Sequence, residues 1–213
     1  MARRRMNFAP HQILIYHITD LENLPGVLRD GVLQCDATMA KRTPMVIGYS
    51  HIKERRLREI KVPCCAHRFV GEFVPFYFCA RSPMLFTINK GRTGRPEGCQ
   101  STVLHLVSTL AIGIELGRPW AISDGNAGAF HTSFFTDIGA LNGLDWTAIR
   151  ATDWRGKTHE KQAEFLVADF FPWNGVQQIG CYNSEVASSV KSLIISQEHK
   201  PDVHVKPEWY YGI

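Results

Sequence analysis

The chain has no run of about eighteen or more consecutive apolar residues, the length a helix needs to cross a bilayer, and this argues against a helical membrane span. It has no CxxC pair. Its six cysteines (Cys35, Cys64, Cys65, Cys79, Cys99, Cys181) show no spacing of a disulfide framework, so free thiols and a reducing cytoplasm are expected. Cys64-Cys65-Ala66-His67 is a metal-binding fragment without a second ligand pair at zinc-like spacing, and no metal is expected. Met1-Ala2-Arg3-Arg4-Arg5 has the charge of a signal-peptide start. The following Asn7-Phe8-Ala9-Pro10-His11-Gln12 is no apolar h-region, so secretion is not expected. Internal repeats and interdomain linkers are missing too, which leaves one domain over residues 1–213, with residues 1–11 a flexible tail.

What is present is an ordinary globular composition: 45% hydrophobic, 21% charged, 213 residues, enough for one sizeable core. The net charge of +4 is unevenly spread. From Lys41 to Arg68 there are eight basic residues (Lys41, Arg42, Lys53, Arg55, Arg56, Arg58, Lys61, Arg68) against two acids, Glu54 and Glu59. Such a patch suits phosphates of a nucleotide or a nucleic-acid backbone; a solvated helix face is the plainer reading.

Patterning predicts a mixed α+β fold. Gln12 to His17 predicts a strand, and Thr19 or Asp20 caps a short helix through Leu21, Leu24, Val27 and Leu28 that Gly31 stops. Gln34 to Ile47 predicts a loop, Ser50 to Ile60 a basic helix, and Lys61 to Gly71 a further loop. Phe73 to Cys79 predicts a strand that Pro75 confines to an edge or a strand start. Met84 to Asn89 is a second apolar run, and Lys90 to Glu97 a mobile segment. Apolar residues at 103, 104, 107, 110, 111 and 114 predict an amphipathic helix over Thr102 to Leu116. Trp120 to Ser123 predicts a strand, Asp124 to Gly128 a turn, and Gly128 to Lys161 a long excursion with weak helical pieces. Strands at Val176 to Tyr182 and Val203 to Val205 flank a helix from Ser184 to Ile194.

Three segments carry candidate chemistry. Tyr16-His17-Ile18-Thr19 ends the first strand with groups able to hydrogen-bond an amide or a ribose. Tyr77, between Phe76 and Phe78, offers a flat surface for a planar ring. Lys161-Gln162-Ala163-Glu164-Phe165-Leu166-Val167 heads a strand whose alternation puts Gln162 and Glu164 on one face. An acid there is either a solvated strand edge or a cleft residue that steadies positive charge on a ribose.

Taken together, these segments resemble the cleft of ADP-ribosyltransferases, and the chain resembles one branch, the DarT family of DNA ADP-ribosyltransferase toxins. Carrying that resemblance are Ile15-Tyr16-His17-Ile18-Thr19, Asn23-Leu24-Pro25-Gly26-Val27-Leu28 and Tyr49-Ser50-His51-Ile52-Lys53-Glu54-Arg55-Arg56. Val74 to Leu85, Lys161 to Val167 and the tail Lys206-Pro207-Glu208-Trp209-Tyr210-Tyr211 follow in order. The resemblance implies a split central β-sheet flanked by helices, and transfer of ADP-ribose from NAD⁺ to a thymine in single-stranded DNA, sequence-specifically. It also implies a macrodomain antitoxin in a bacterial cytoplasm.

It places NAD⁺ contacts at His17, Ile18, Thr19, Gly26, Gln34 and Tyr77, and a nucleotide-binding loop-helix at about 39–58. Arg56 and Glu164 take the catalytic positions, with the substrate loop ahead of Glu164. Lys53, Arg55, Arg81, Arg92, Arg95 and Gln162 are candidate DNA contacts. Loss of nicotinamide leaves an oxocarbenium-like ribose that a fixed carboxylate stabilises, the part expected of Glu164. Arg56 acts either as proton acceptor from the thymine imide or as its electrostatic stabiliser; a guanidinium pKa above about 12 favours the second. Guanine, RNA or protein as acceptor remains the alternative enzymatic reading, and a non-enzymatic single-strand-binding module the non-catalytic one.

Overall fold

Turn-forming residues break the chain into short elements, and many begin at a side chain that caps them. The carboxylate or hydroxyl of Asp20, Ser82, Thr109 and Asp145 and the amide oxygen of Asn183 each accept a backbone N–H two or three residues on. The structure, a computed structural model, describes residues 9–40, 42 and 50–212, with backbone alone at 50–52. In chain order the elements are β1 (Leu14–Asp20), α1 (Leu24–Asp30), β2 (Val32–Gln34), α2 (Asp36–Met39), α3 (Ser50–Arg58), β3 (Lys61–Val62) and β4 (Arg68–Phe69). Then come β5 (Phe73–Tyr77), α4 (Pro83–Asn89), β6 (Val103–Thr109), α5 (Leu110–Glu115), β7 (Trp120–Ser123), β8 (Phe134–Phe135) and α6 (Trp146–Arg150). The last are α7 (Thr158–Lys161), β9 (Glu164–Ala168), β10 (Phe170–Pro172), β11 (Gln178–Cys181), α8 (Ser184–Ile194) and β12 (Asp202–Val205).

Eight strands form one sheet in the order β12-β11-β6-β1-β5-β9-β7-β8, antiparallel throughout except between β12 and β11. β1 pairs with β6 along its whole length but meets β5 at one pair, Tyr16 opposite Tyr77. Pro75 is the cause: it has no N–H to offer a ladder, and its carbonyl oxygen instead receives the His17 ring nitrogen Nδ1 at 2.9 Å. The sheet therefore opens into two halves at the β1/β5 seam. Helix α8 packs Val186, Ala187, Val190 and Ile194 into the main core, which also takes Val74, Phe76, Phe165 and Val167. The opposite face of β9 turns Leu166 and Ala168 toward Val62, Val70 and Phe73.

Several expectations are corrected. Thr102 to Leu116 is not one helix but the fully buried strand β6 followed by α5. A strand buried on both faces reads as a nearly continuous apolar run, and Val103, Val107 and Thr109 are β-branched, so the apparent helical spacing was accidental. Pro75 lies in a central strand rather than at an edge, because the split gives it an unpaired side. β1 runs on through Asp20. The loop expected at 34–47 begins with the end of β2 and α2, while residues 41 and 43–49 lie outside the described residues. The loop at 61–71 contains the β3/β4 hairpin. In the N-terminal tail, Pro10–Gln12 forms a 3₁₀ turn, and residues 1–8 lie outside the described residues. The apolar run at 84–89 is α4, and 90–97 is a series of turns and bends.

Candidate active site

Glu164 opens β9 directly opposite Tyr77 of β5, so the two side chains leave the same face of the sheet beside the seam. The acid is 2% exposed, which a solvated strand edge is not. Its backbone N–H donates to Ser123 Oγ at 3.0 Å, and its Oε1 accepts the Ala127 N–H at 2.8 Å. The Asp124 to Gly128 turn thus grips the carboxylate from the backbone.

The second partner arrives from a distant helix. Arg56 sits in the last turn of α3, which lies close against Gly71; a Cβ at Gly71 would come within 3.1 Å of the Arg56 carbonyl oxygen and 3.0 Å of Leu57 Cα. From there Arg56 Nη1 reaches Glu164 Oε1 at 3.3 Å and Oε2 at 3.1 Å. Burial pulls the guanidinium down, but Glu164 and Asp36 together outweigh it and hold Arg56 above its ordinary value. Its Nε and Nη2 are buried with no hydrogen-bond partner among the described residues. Buried, unmatched donors on a fixed cation are costly in isolation and are ready to receive an acceptor from a ligand.

His17 stands at the seam. Its Nδ1 faces a carbonyl, so Nδ1 carries the proton and Nε2 is left as an acceptor. Burial lowers its pKa, which keeps the ring neutral. Burial also pushes the Tyr77 phenol up, with Glu164 adding to the effect, so Tyr77 stays a neutral donor and a flat ring. Ile18 and Thr19 are buried in β1, where the Thr19 hydroxyl accepts from Asn23 Nδ2 at 3.3 Å. Gly26 lies in α1, and Gln34 pairs with Phe170 at the end of β2, just before α2.

Gln162 is not on the strand with Glu164. It caps the C-terminus of α7, its Oε1 accepting from Asn126 at 3.0 Å and its Nε2 donating to the Thr158 carbonyl oxygen at 3.0 Å. The short α7 ends at Lys161 and β9 begins only at Glu164, so Gln162 lies in the connection and the shared-face expectation does not hold. Lys53 is ion-paired with Asp36 at 3.1 Å, and Arg95 with the buried Asp20 at 2.7 Å. The Arg55 guanidinium lies 6.0 Å from the ring of the exposed Phe130, and that of Arg81 lies 4.7 Å from the Tyr211 ring; Arg92 is exposed.

Asp36, Ser123 and Ala127 were not singled out by sequence reasoning. Asp36 was hidden in an aperiodic stretch, and Ala127 acts through a backbone N–H that any residue would supply. Lys161 was noted only as part of its motif. It is 2% exposed, its Nζ donates to the Ile149 carbonyl oxygen at 2.8 Å, and burial lowers its pKa. Among the described residues no cluster of three or more His, Cys, Asp or Glu is gathered to hold a metal, and the Cys65 thiol donates to the Trp120 carbonyl oxygen. No helix among the described residues is long and apolar enough to cross a membrane.

The family model described as "ssDNA thymidine ADP-ribosyltransferase, DarT" matches residues 16–211. The chain belongs to the DarT family. A curated relative from Thermus aquaticus, a DNA ADP-ribosyl transferase, is 39% identical over 204 residues, covering 95% of this chain and 90% of the relative. The DarT of Thermus sp. 2.9, solved in complex with ADP-ribosylated ssDNA, superposes with a TM-score of 0.88 at 36% identity, covering 98% of this chain and 100% of that one. The same Thermus protein in complex with NAD⁺ gives a TM-score of 0.83 at 34% identity, covering 96% of this chain and 100% of that one. The expected α+β fold, with its large central sheet flanked by helices, is therefore the DarT fold.

Proposed function

We propose that this protein transfers ADP-ribose from NAD⁺ to a thymine base in single-stranded DNA. The observation that carries the reading is the buried Arg56–Glu164 pair beside the opened seam of the sheet. In the reaction the bond from the ribose anomeric carbon to nicotinamide breaks and a bond to the thymine imide nitrogen forms. Nicotinamide leaves, and the imide proton is released. Positive charge develops on the ribose and negative charge on the imide. One fixed anion and one fixed cation in contact match that pair of charges in a low-dielectric pocket.

Glu164, steadied by the Ala127 N–H, faces the ribose. His17, through its free Nε2, accepts a ribose or amide proton donor, and Tyr77 covers a planar ring. Ile18, Thr19, Gly26 and Gln34 complete the NAD⁺ contacts. Arg56 offers Nη2 to the imide oxygen and acts as a cation rather than a proton acceptor, because both neighbouring carboxylates hold it charged. A single strand presents its bases without the cost of flipping one out of a duplex. Lys53, Arg55, Arg81, Arg92, Arg95 and Gln162 are the candidate DNA contacts. Of these, Arg55, with its buried unpartnered Nε beside exposed Phe130, is the best placed, and Arg95 the least, being matched to Asp20.

As a DarT toxin the protein acts in the bacterial cytoplasm, sequence-specifically, against a macrodomain antitoxin that removes the modification. The test is mass measurement on thymine-containing and thymine-free oligonucleotides incubated with NAD⁺. Addition of one ADP-ribosyl group to thymine-containing strands alone is expected. Addition only to guanine-containing strands, RNA or protein would replace the acceptor, and no addition across a broad sequence panel would overturn the reading.

A further inference from the structure

Arg56 faces a second carboxylate that the reaction does not itself require, close enough for charge attraction though not hydrogen-bonded to it. Asp36, at the first residue of α2, lies with Oδ2 3.9 Å from Arg56 Nε and Oδ1 3.1 Å from Lys53 Nζ. Lys53 sits one helical turn before Arg56 on α3. The charges alternate along a line, Lys53–Asp36–Arg56–Glu164, so each inner group has an opposite charge on both sides. We propose that Asp36 is a positioning residue for Arg56, fixing the guanidinium at its Nε end so that Nη1 stays on Glu164 and Nη2 is presented to the imide oxygen of the acceptor base. This rests on the transferase reading above.

The placement of Asp36 is itself secured from the sheet. A four-residue helix cannot hold its own position, since helix formation is cooperative with a costly first turn. Here the residue before it is tied down: Cys35 N–H donates to the Asp169 carbonyl oxygen at 3.0 Å. Asp169 has a left-handed backbone, φ 66°, and its carboxylate is held by Arg118 at 2.8 Å and by Arg68. Two arginines thus lock a residue that tethers the start of α2. A guanidinium held only by Glu164 through a single nitrogen can swing about that contact; a second anion 3.9 Å from Nε opposes the swing by charge attraction.

If Arg56 had to shed its proton to take one from the imide, the negative charge of Asp36 would oppose catalysis, and removing it would speed transfer. If Arg56 works as an oriented cation, removing the charge slows transfer, because the guanidinium loses its second anchor while keeping its charge.

The experiment uses the whole chain, NAD⁺ and a thymine-containing oligonucleotide, with steady-state rates followed by mass. Asp36→Asn is expected to lower kcat by about tenfold or more, the equivalent of one well-oriented charge contact, with the KM for NAD⁺ unchanged. Asp36→Glu is expected to recover part of the loss. Lys53→Met, at a partly exposed residue that leaves folding intact, is expected to lower kcat in the same direction and less, because it acts through Asp36. Full or increased kcat in Asp36→Asn, or a loss confined to the KM for NAD⁺, would overturn the proposal. So would a Lys53→Met variant that keeps wild-type kcat, whatever its KM for the oligonucleotide. Wild-type protein that modifies no thymine strand would count against the transferase reading instead.

Discussion

Arg56 and Glu164 are 108 residues apart in the chain, yet one guanidinium nitrogen contacts both oxygens of the carboxylate at 3.1 and 3.3 Å, in a pair almost wholly removed from water. Each group is a liability without the other, because an isolated buried charge carries its full desolvation penalty.

Glu164→Gln keeps the shape and the oxygen that accepts from Ala127 but removes the charge facing the ribose. Transfer is expected to fall by at least about a hundredfold, as when one preorganised charge-stabilising group is lost. The melting temperature falls too, because buried Arg56 loses the nearer of its two carboxylates. Joint replacement Arg56→Met with Glu164→Leu is expected to recover stability while remaining inactive. Thermal melts beside the oligonucleotide mass assay check both, and a double variant less stable than Glu164→Gln would contradict the account of the pair.

Arg56→Lys retains a cation but loses the planar fork. An ammonium on Glu164 has no second nitrogen to present to the imide, so kcat is expected to drop by about a hundredfold while the protein stays folded. Near-full activity across the pH range would defeat any specific role of the guanidinium.

Gln162 has both ends of its amide engaged, by Asn126 and by the Thr158 carbonyl oxygen. Its expected part is to brace the turn whose Ala127 N–H holds Glu164. Gln162→Ala should lower kcat by about tenfold, the scale of one displaced contact, and leave the acceptor base unchanged. A variant that modified a different base would show instead that Gln162 selects the acceptor.

His105 is fully buried in β6 between Tyr16, Trp209 and Tyr210, and burial drives its pKa down to about 4. The folded value lies below the unfolded one, so the unfolded chain binds the extra proton first as pH falls. The stability contributed by neutral His105 is complete above about pH 6.5 and is lost as pH falls toward about 4, at up to about 1.4 kcal/mol per pH unit. Urea unfolding of wild type and His105→Leu between pH 7 and pH 5 measures it. The variant should show the shallower dependence, and identical slopes would exclude His105 as the source.

Much of the fold was legible where local chemistry acts alone. Helix α8 was read at its observed bounds because Asn183 caps it and four apolar residues line one face. The stop of α1 at Gly31 followed from a left-handed cap, φ 68°. β6 was misread because a strand with both faces covered carries no alternation, and only the neighbours β1 and β11 reveal it. A sound local rule confines Pro75 to an edge or a strand start, and tertiary structure met the rule by opening the sheet at that residue.

The sequence by itself determined the family, the candidate pair Arg56 and Glu164, and the aromatic and histidine strands around them, because residue type and order carry that information. Only the tertiary structure decided that Glu164 is buried, that Arg56 lies on it and not elsewhere, that Gln162 is spent on a turn, and that Asp36 joins the line of charge. The physical reason is the same in each case: burial and pairing of charge depend on which distant segments pack together, and no local pattern in the chain encodes that.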